Sequence, residues 1–218
     1  MTGVNFELTP EGITFVATDA HRLVRYKRLD AKATKATSFI VPKKALQLLG
    51  NAIPAEETQV KISYNSSNAF FNFGHVKLIC RLIDARFPDY TAVIPTENPN
   101  KLTIQSSDLL SSLRRLVVLS NKTTHQATFK MSGSELSINT RDLDFSNEGN
   151  ETLVCQYDGE DLEIAFNAKF VIDMIASMNE EEVQFEFSTP SRACIMTPLN
   201  KKDNEDLLML VMPIMVNT

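Results

Sequence analysis

The chain has 218 residues, 43% of them hydrophobic, and its 27 acidic and 22 basic side chains leave a formal net charge of −5. That is the balance of a soluble globular protein of one or two domains. It excludes a surface that binds nucleic acid over its whole area, while leaving room for one basic face. No apolar run approaches the roughly 20 residues that cross a bilayer, and no signal-peptide pattern opens the chain. Cys80, Cys155 and Cys194 stand far apart, odd in number and without CxxC spacing. A disulfide framework and a cysteine metal site are therefore not expected, and a reducing, cytoplasmic setting is.

Read in order, the chain opens with a hairpin over Val4–Phe15, turning at Pro10-Glu11-Gly12, and continues through Val16–Arg25. A strand at Phe39-Ile40-Val41 leads into a helix over Pro42–Ile53, where proline suits the first turn and Ala45, Leu46 and Leu49 form the apolar stripe. Strands follow at Val60–Tyr64, Ala69–Phe73 and Val76–Ile83. After Phe87-Pro88-Asp89-Tyr90 comes a polar stretch, Thr96–Asn100, which reads as a linker. Beyond it a strand at Leu102–Gln105 precedes a helix over Asp108–Ser120, with Ser107 or Asp108 as cap and Leu109, Leu110, Leu113, Leu116 and Val117 on one face. A second hairpin spans Ala127–Ile138, and strands cover Glu151–Tyr157 and Leu162–Phe166. Asn167 is placed to cap a third helix that buries Phe170, Val171, Met174, Ile175 and Met178. Strands at Val183–Phe187, Arg192–Thr197 and Leu207–Pro213 end the pattern, and Val216-Asn217-Thr218 trails off.

The two hairpins are the same pattern. The second begins 123 positions after the first, Val4 to Ala127, and Val60–Tyr64 matches Val183–Phe187 at the same spacing. Identities are few, but the apolar positions coincide, and a slip of one residue would invert every side chain. The chain therefore reads as two copies of a module of roughly 120 residues. The second copy has an opening strand and helix for which the first shows no equivalent, so apolar surface is expected to lie open or be covered otherwise in the first. Mostly antiparallel strands with one helix per half-module give an α+β fold class.

The helices carry a repeated cationic feature. Lys43 and Lys44 sit in the first turn of their helix, where the dipole disfavours cations by up to ~1 kcal/mol. Lys169 occupies the place in the third helix that Lys44 takes in the first, and Arg114 and Arg115 lie opposite the leucine stripe with Lys122 close by. An anion shared with the free N–H groups accounts for such a set, and phosphate contact is the reading favoured over a solvated surface. Catalytic chemistry has little support. Asp19, His21 and Arg22 are a compact polar set, yet no Ser or Cys nucleophile is near, His75 and His125 are isolated, and seven glycines form no phosphate-cradling loop.

Four stretches together resemble one family, the bacterial sliding clamp, the β subunit of the replicative DNA polymerase. They are Ala17-Thr18-Asp19-Ala20-His21-Arg22-Leu23, Arg86-Phe87-Pro88-Asp89-Tyr90, Leu119-Ser120-Asn121 and Val211-Met212-Pro213-Ile214, with Phe166-Asn167 in support. The resemblance implies a DNA-clamp fold, in which three modules make a protomer and two protomers close as a homodimer ring around duplex DNA. On that reading residues 1–95 are a middle module truncated at its N-terminus, 96–100 the linker and 101–218 the third module. A fragment of this kind is expected to lack one side of the ring's dimer contact.

The resemblance also implies a processivity factor for DNA replication, without a catalytic site, metal or cofactor and away from membranes. Its partners would be the DNA polymerase, the clamp loader and repair proteins, each held by a short clamp-binding peptide, and duplex DNA phosphates met without sequence specificity. Matched residue by residue, the peptide groove would comprise Thr18, Ala20, His21, Arg22, Leu23, Pro88 and Val93. The third module would add Asn167, Phe170, Ser191, Ala193, Leu210, Val211, Met212, Pro213 and Ile214. The DNA-facing set would be Lys43, Lys44, Arg114, Arg115 and Lys169. Ala20 stands where the family usually has Gly, Phe170 where Tyr is frequent and Ala92 where Arg is familiar, and Met215–Thr218 departs from the usual ending. Independently, Leu23, Pro88, Val93, Met212 and Ile214 are apolar at strand ends and loops, and methionine suits a surface that accepts several partners. Two rivals belong to other classes: a stand-alone peptide-binding adaptor without nucleic-acid binding, and a hydrolase using Asp19 and His21.

Overall fold

The computed structural model describes residues 2–54, 56 and 59–215; the expected tail Val216–Thr218 lies outside them. The chain divides into two compact units. One comprises Met1–Asp19, Val24–Asp89 and Asn204–Asp206, the other Ala20–Leu23, Tyr90–Asp203 and Leu207–Thr218, so the stretch expected as a linker lies within the second. Among the described residues no helix is long and apolar enough to cross a membrane.

In the first unit β1 (Gly3–Thr9) and β2 (Gly12–Thr18) form the expected hairpin, with Phe6 opposite Phe15 and Leu8 opposite Ile13. β3 (Arg22–Arg28) and β4 (Thr37–Pro42) complete an array in the order β3-β2-β1-β4. The stretch Val16–Arg25 is divided at Asp19–His21, where Ala20 takes a left-handed φ of 77° that turns the chain between β2 and β3. α1 (Lys43–Ala52) follows, then β5 (Lys61–Tyr64), β6 (Asn68–Phe73) and β7 (Val76–Arg81) as a three-stranded antiparallel sheet. Phe6, Leu8, Val41, Ala45, Ala69 and Phe71 make the core between them.

The second unit starts with β8 (Asn100–Gln105) and α2 (Ser106–Leu119). Neither Ser107 nor Asp108 caps this helix. The strand runs directly into it through Gln105, and the Ser106 N–H is met instead by the Glu181 carbonyl at 2.8 Å. β9 (Gln126–Ser132), β10 (Glu135–Asp142), β11 (Asn147–Val154) and β13 (Leu162–Asn167) form a sheet in the order β11-β10-β9-β13. The strand expected over Glu151–Tyr157 is divided at buried Cys155, whose N–H bonds the Ser134 carbonyl; β12 (Gln156–Asp158) then joins a different sheet. α3 (Ala168–Met178) is capped as anticipated: the Asn167 side chain accepts from the N–H groups of Lys169 at 3.0 Å and Phe170 at 3.4 Å. β14 (Glu182–Phe187), β15 (Cys194–Pro198) and β16 (Glu205–Val211) complete the order β12-β8-β14-β15-β16.

The repeat is physical. β9 and β10 begin 123 residues after β1 and β2, while β13 and α3 begin 125 after β4 and α1. An isolated bridge joins Ile40 to Ile83 in the first unit, and its counterpart joins Ala165 to Ile214 in the second. α2 has no equivalent among the described residues of the first unit. The consequence is visible in burial: Ile13, Phe15, Phe39, Leu46 and Leu49 are only partly covered. Their counterparts Leu136, Ile138, Ile164, Val171 and Met174 are 0–3% exposed, because α2 packs across β10, β11 and α3.

Candidate functional site

The site grows from the start of α3. Asn167 fixes the first turn, which presents half-buried Phe170 and, one turn on, Asp173. The His21 ring stacks on Phe170 with centroids 5.8 Å apart and 29° between planes. The Arg22 guanidinium carbon lies 4.3 Å from the same ring centre, and Arg22 Nη1 donates to Asp173 Oδ2 at 3.0 Å. An ion pair this exposed contributes about 0–1 kcal/mol; its larger effect is to hold the guanidinium over the aromatic face. The Met212 N–H donates to the His21 carbonyl at 2.9 Å, and the Ile214 N–H to the Ala165 carbonyl at 2.7 Å. The Met212–Ile214 segment is thereby tied at both ends within the second unit, and its Met212 side chain stays 40% exposed. An aromatic ring, an adaptable methionine and a cation with a polar rim can take an apolar side chain and orient the backbone carrying it.

The sequence-expected groove residues fall into distinct roles. His21, Arg22, Asn167, Phe170, Met212 and Ile214 are linked by the contacts above. Val93, 52% exposed, and Ala193 line a depression of about 470 Å³ that also involves Ile94, Pro95 and Arg192. Leu23, Ala193, Leu210 and Val211 are 0–7% exposed; Leu23 in particular is core and not the exposed anchor that its place at a strand end promised. Ser191 is exposed and Pro213 half-buried, while Thr18 and Pro88 belong to the first unit. Asp173 was missed by sequence reasoning. Its spacing of three from Phe170, with an arginine to satisfy, was the available signal.

Ala20 bears on this site directly. Its φ of 77° lies in the region that costs an L-residue roughly 1–2 kcal/mol and glycine little. Ala20→Gly is expected to stabilise the protein by about 1 kcal/mol or less, since glycine's extra unfolded-state freedom offsets part of the relief. Thermal unfolding checks this, a higher midpoint being the expected result.

The cationic residues also divide. Lys43, Lys44, Arg114 and Lys169 are exposed and make no ion pair among the described residues. Arg115, expected to face a polyanion, is held by Glu151 through Nε at 2.8 Å and Nη2 at 2.5 Å. That bidentate bond keeps the Glu151 carboxyl below the usual carboxylate range. The His125 pKa is lowered first by burial and then by the charges of Lys169 and Lys122. Among the described residues no group of three or more His, Cys, Asp or Glu side chains is placed to hold a metal ion.

Comparison with known proteins places these features. The pattern of the DNA polymerase III beta subunit, C-terminal domain, matches residues 91–215, and that of its central domain matches residues 1–89. A beta sliding clamp of Synechococcus elongatus is 28% identical over 226 residues, covering 100% of this chain and 59% of that protein. One of Chlamydia trachomatis is 29% identical over 217 residues, covering 98% and 50%. A crystal structure of the Pseudomonas aeruginosa sliding clamp bound to griselimycin superposes with a TM-score of 0.92 at 24% identity, covering 99% of this chain and 57% of that one. The DNA-clamp fold follows from that match. The chain spans between half and three fifths of the length of these curated relatives.

Proposed function

The chain belongs to the DNA polymerase III beta subunit family, and from that membership we propose that it is the part of a sliding clamp that captures partner proteins. The partner is a short linear peptide of a polymerase, clamp loader or repair protein. Its apolar side chains settle against Phe170, Met212 and Ile214, while His21 and Arg22 border the contact. One observation carries the reading: His21, Arg22, Phe170, Asp173 and the Met212 backbone are interlocked by stacking, ion pair and hydrogen bond, so the surface is formed before a peptide arrives. Preorganisation of this kind lowers the entropy lost on binding. No step of chemistry is required of the chain.

In the assembled ring, DNA is enclosed and not gripped. Lys43, Lys44, Arg114 and Lys169 touch phosphates without reading bases, and weak contacts leave sliding fast. A polymerase held by its peptide then works at a high effective concentration near the primer end. The stand-alone adaptor draws on the pairing of Arg115 with Glu151, which removes one cation from the polyanion-facing set.

The test is a fluorescence-anisotropy titration of a labelled clamp-binding peptide from a replicative polymerase. Saturable binding is expected, weakened about fivefold or more by Met212→Ala as the methionine's contact area is lost. Absence of saturable binding overturns the reading. Peptide binding with no effect of charge reversal at Arg114 and Lys169 on DNA retention by the full ring favours the adaptor.

A further inference from the structure

We infer that the outer face of the β5-β6-β7 sheet binds single-stranded nucleic acid, a base stacking on Phe70 while phosphates meet Lys61, Lys77 and Arg81. The occupant follows from register, charge and the internal repeat, and it does not rest on peptide capture.

Register defines that face. Ala69 and Phe71 point into the core that also holds Ala45 of α1, and Ile62 and Leu78 pack against it. Successive side chains of a strand point to opposite faces, so half-buried Phe70 looks away from α1. Cross-strand pairing sets its neighbours in rows. Ser63, Phe70 and Ile79 share the middle row, Lys61 and Lys77 flank Asn72 in the next, and Arg81 stands opposite Asn68 on the other side. All three cations are thus diagonal neighbours of Phe70, at backbone separations of about 7–8 Å that long side chains span. Lys77 Nζ already stands 5.5 Å from the ring centre. Lys61, Lys77 and Arg81 are exposed and make no ion pair among the described residues. The face is perpendicular to the pairing direction, so it stays outward whatever strand lies beside β7.

Charge names the class of partner. Between Glu57 and Asp84 the sequence holds no acid, although acids outnumber bases in the chain as a whole. The internal repeat shows that the fold itself does not call for this. In the counterpart sheet of the second unit, β14, β15 and β16 carry Glu182, Glu186, Glu205 and Asp206 and no base. Lys61 and Ser63 fall 123 positions before Gln184 and Glu186, so the same outward places are neutral or acidic there. A face this one-sided attracts a polyanion. The ring then selects among polyanions. A duplex keeps its bases stacked inside and offers phosphate alone, whereas each unpaired base has a π-face for an aromatic platform. Lysine holds the ring loosely at 5.5 Å, so a base takes its place as the amine turns to phosphate. Ser63 and Asn72 add hydrogen-bonding groups beside the ring, suited to base edges. An acidic polypeptide would satisfy the cations and leave the ring without a matching group.

Fluorescence anisotropy of a labelled oligothymidylate of about 15 nucleotides, titrated with the full chain at low salt, tests the inference. Saturable binding is expected, with log affinity falling against log salt at a slope of about −2 for three phosphate contacts. Phe70→Ala weakens it about tenfold, while Phe70→Tyr keeps it within a few-fold. Combining Lys61→Glu, Lys77→Glu and Arg81→Glu weakens it about thirtyfold or more. Those three side chains are exposed, so their reversal reads the surface without touching the core, and circular dichroism confirms that each variant is folded. An unlabelled duplex of the same length and polyglutamate both compete less well than the single strand. No saturable binding, or binding indifferent to Phe70→Ala and to the reversals, overturns the inference. So does equal competition by the duplex, which leaves the ring without a role. Stronger competition by polyglutamate overturns it as well and assigns the face to an acidic polypeptide.

Discussion

Phe170→Ala is expected to weaken binding of a polymerase clamp-binding peptide by about thirtyfold, or roughly 2 kcal/mol, the scale of an aromatic hot spot. Phe170 is the common neighbour of His21, at 5.8 Å, and Arg22, at 4.3 Å. Truncation removes its own contact area and the platform on which both partners are ordered. Arg22 keeps its bond to Asp173 but loses the ring beneath it. A conservative change separates this role from general destabilisation. Phe170→Tyr preserves ring, stacking and packing, so peptide affinity should stay within a few-fold of the parent. Because the ring is half-buried, Phe170→Ala costs less folding stability than a core deletion, and thermal unfolding should shift only modestly. Full peptide affinity in Phe170→Ala would remove this ring from the binding surface.

What could be read from residues alone was whatever local chemistry dictates. The hairpins were legible because alternating apolar positions fix both register and face, and Asn167 because an amide just ahead of an apolar helical stripe has one favoured use. Other features depend on partners remote in sequence. The Arg22–Asp173 pair joins residues 151 positions apart, so the spacing of Asp173 from Phe170 could place it on the right helix face but could not name its partner. Arg115 had the surface spacing of a DNA contact, but Glu151 on a neighbouring strand claims it. Leu23 stood at a strand end, where exposure was the reasonable expectation, yet it is 3% exposed because the strand continues into packed structure. Ala20 hid its left-handed backbone, since the usual marker of that conformation is glycine. The site was therefore legible chiefly through family resemblance, and its internal wiring only through coordinates.

The second large effect tests what distinguishes the two repeats. Leu113→Ala should lower the unfolding free energy of the second unit by about 2–5 kcal/mol, the range for deleting a fully buried leucine side chain. Leu113 is 0% exposed on α2, beside Leu109 and Leu116, on the helix that seals β10 and β11. The seating is close: a Cβ added to Gly149 on β11 would stand 2.9 Å from Leu116 and 2.8 Å from Leu119, so little room exists for the helix to settle inward over a cavity. Among the described residues of the first unit the counterpart face has no such helix, and Leu46 and Leu49 on α1 are only partly buried there. Leu48 lies on the other side of α1, 125 positions before exposed Asp173, and is itself 53% exposed, so Leu48→Ala should change stability by about 0.5 kcal/mol or less. Hydrogen exchange read unit by unit checks both expectations. Amides of β9, β10 and β11 should lose protection in Leu113→Ala while those of β1, β2 and β4 hold theirs. Equal loss in both units would mean that α2 is not what closes the second core. The contrast would then need another cause than the presence of one helix over one sheet and its absence over the other.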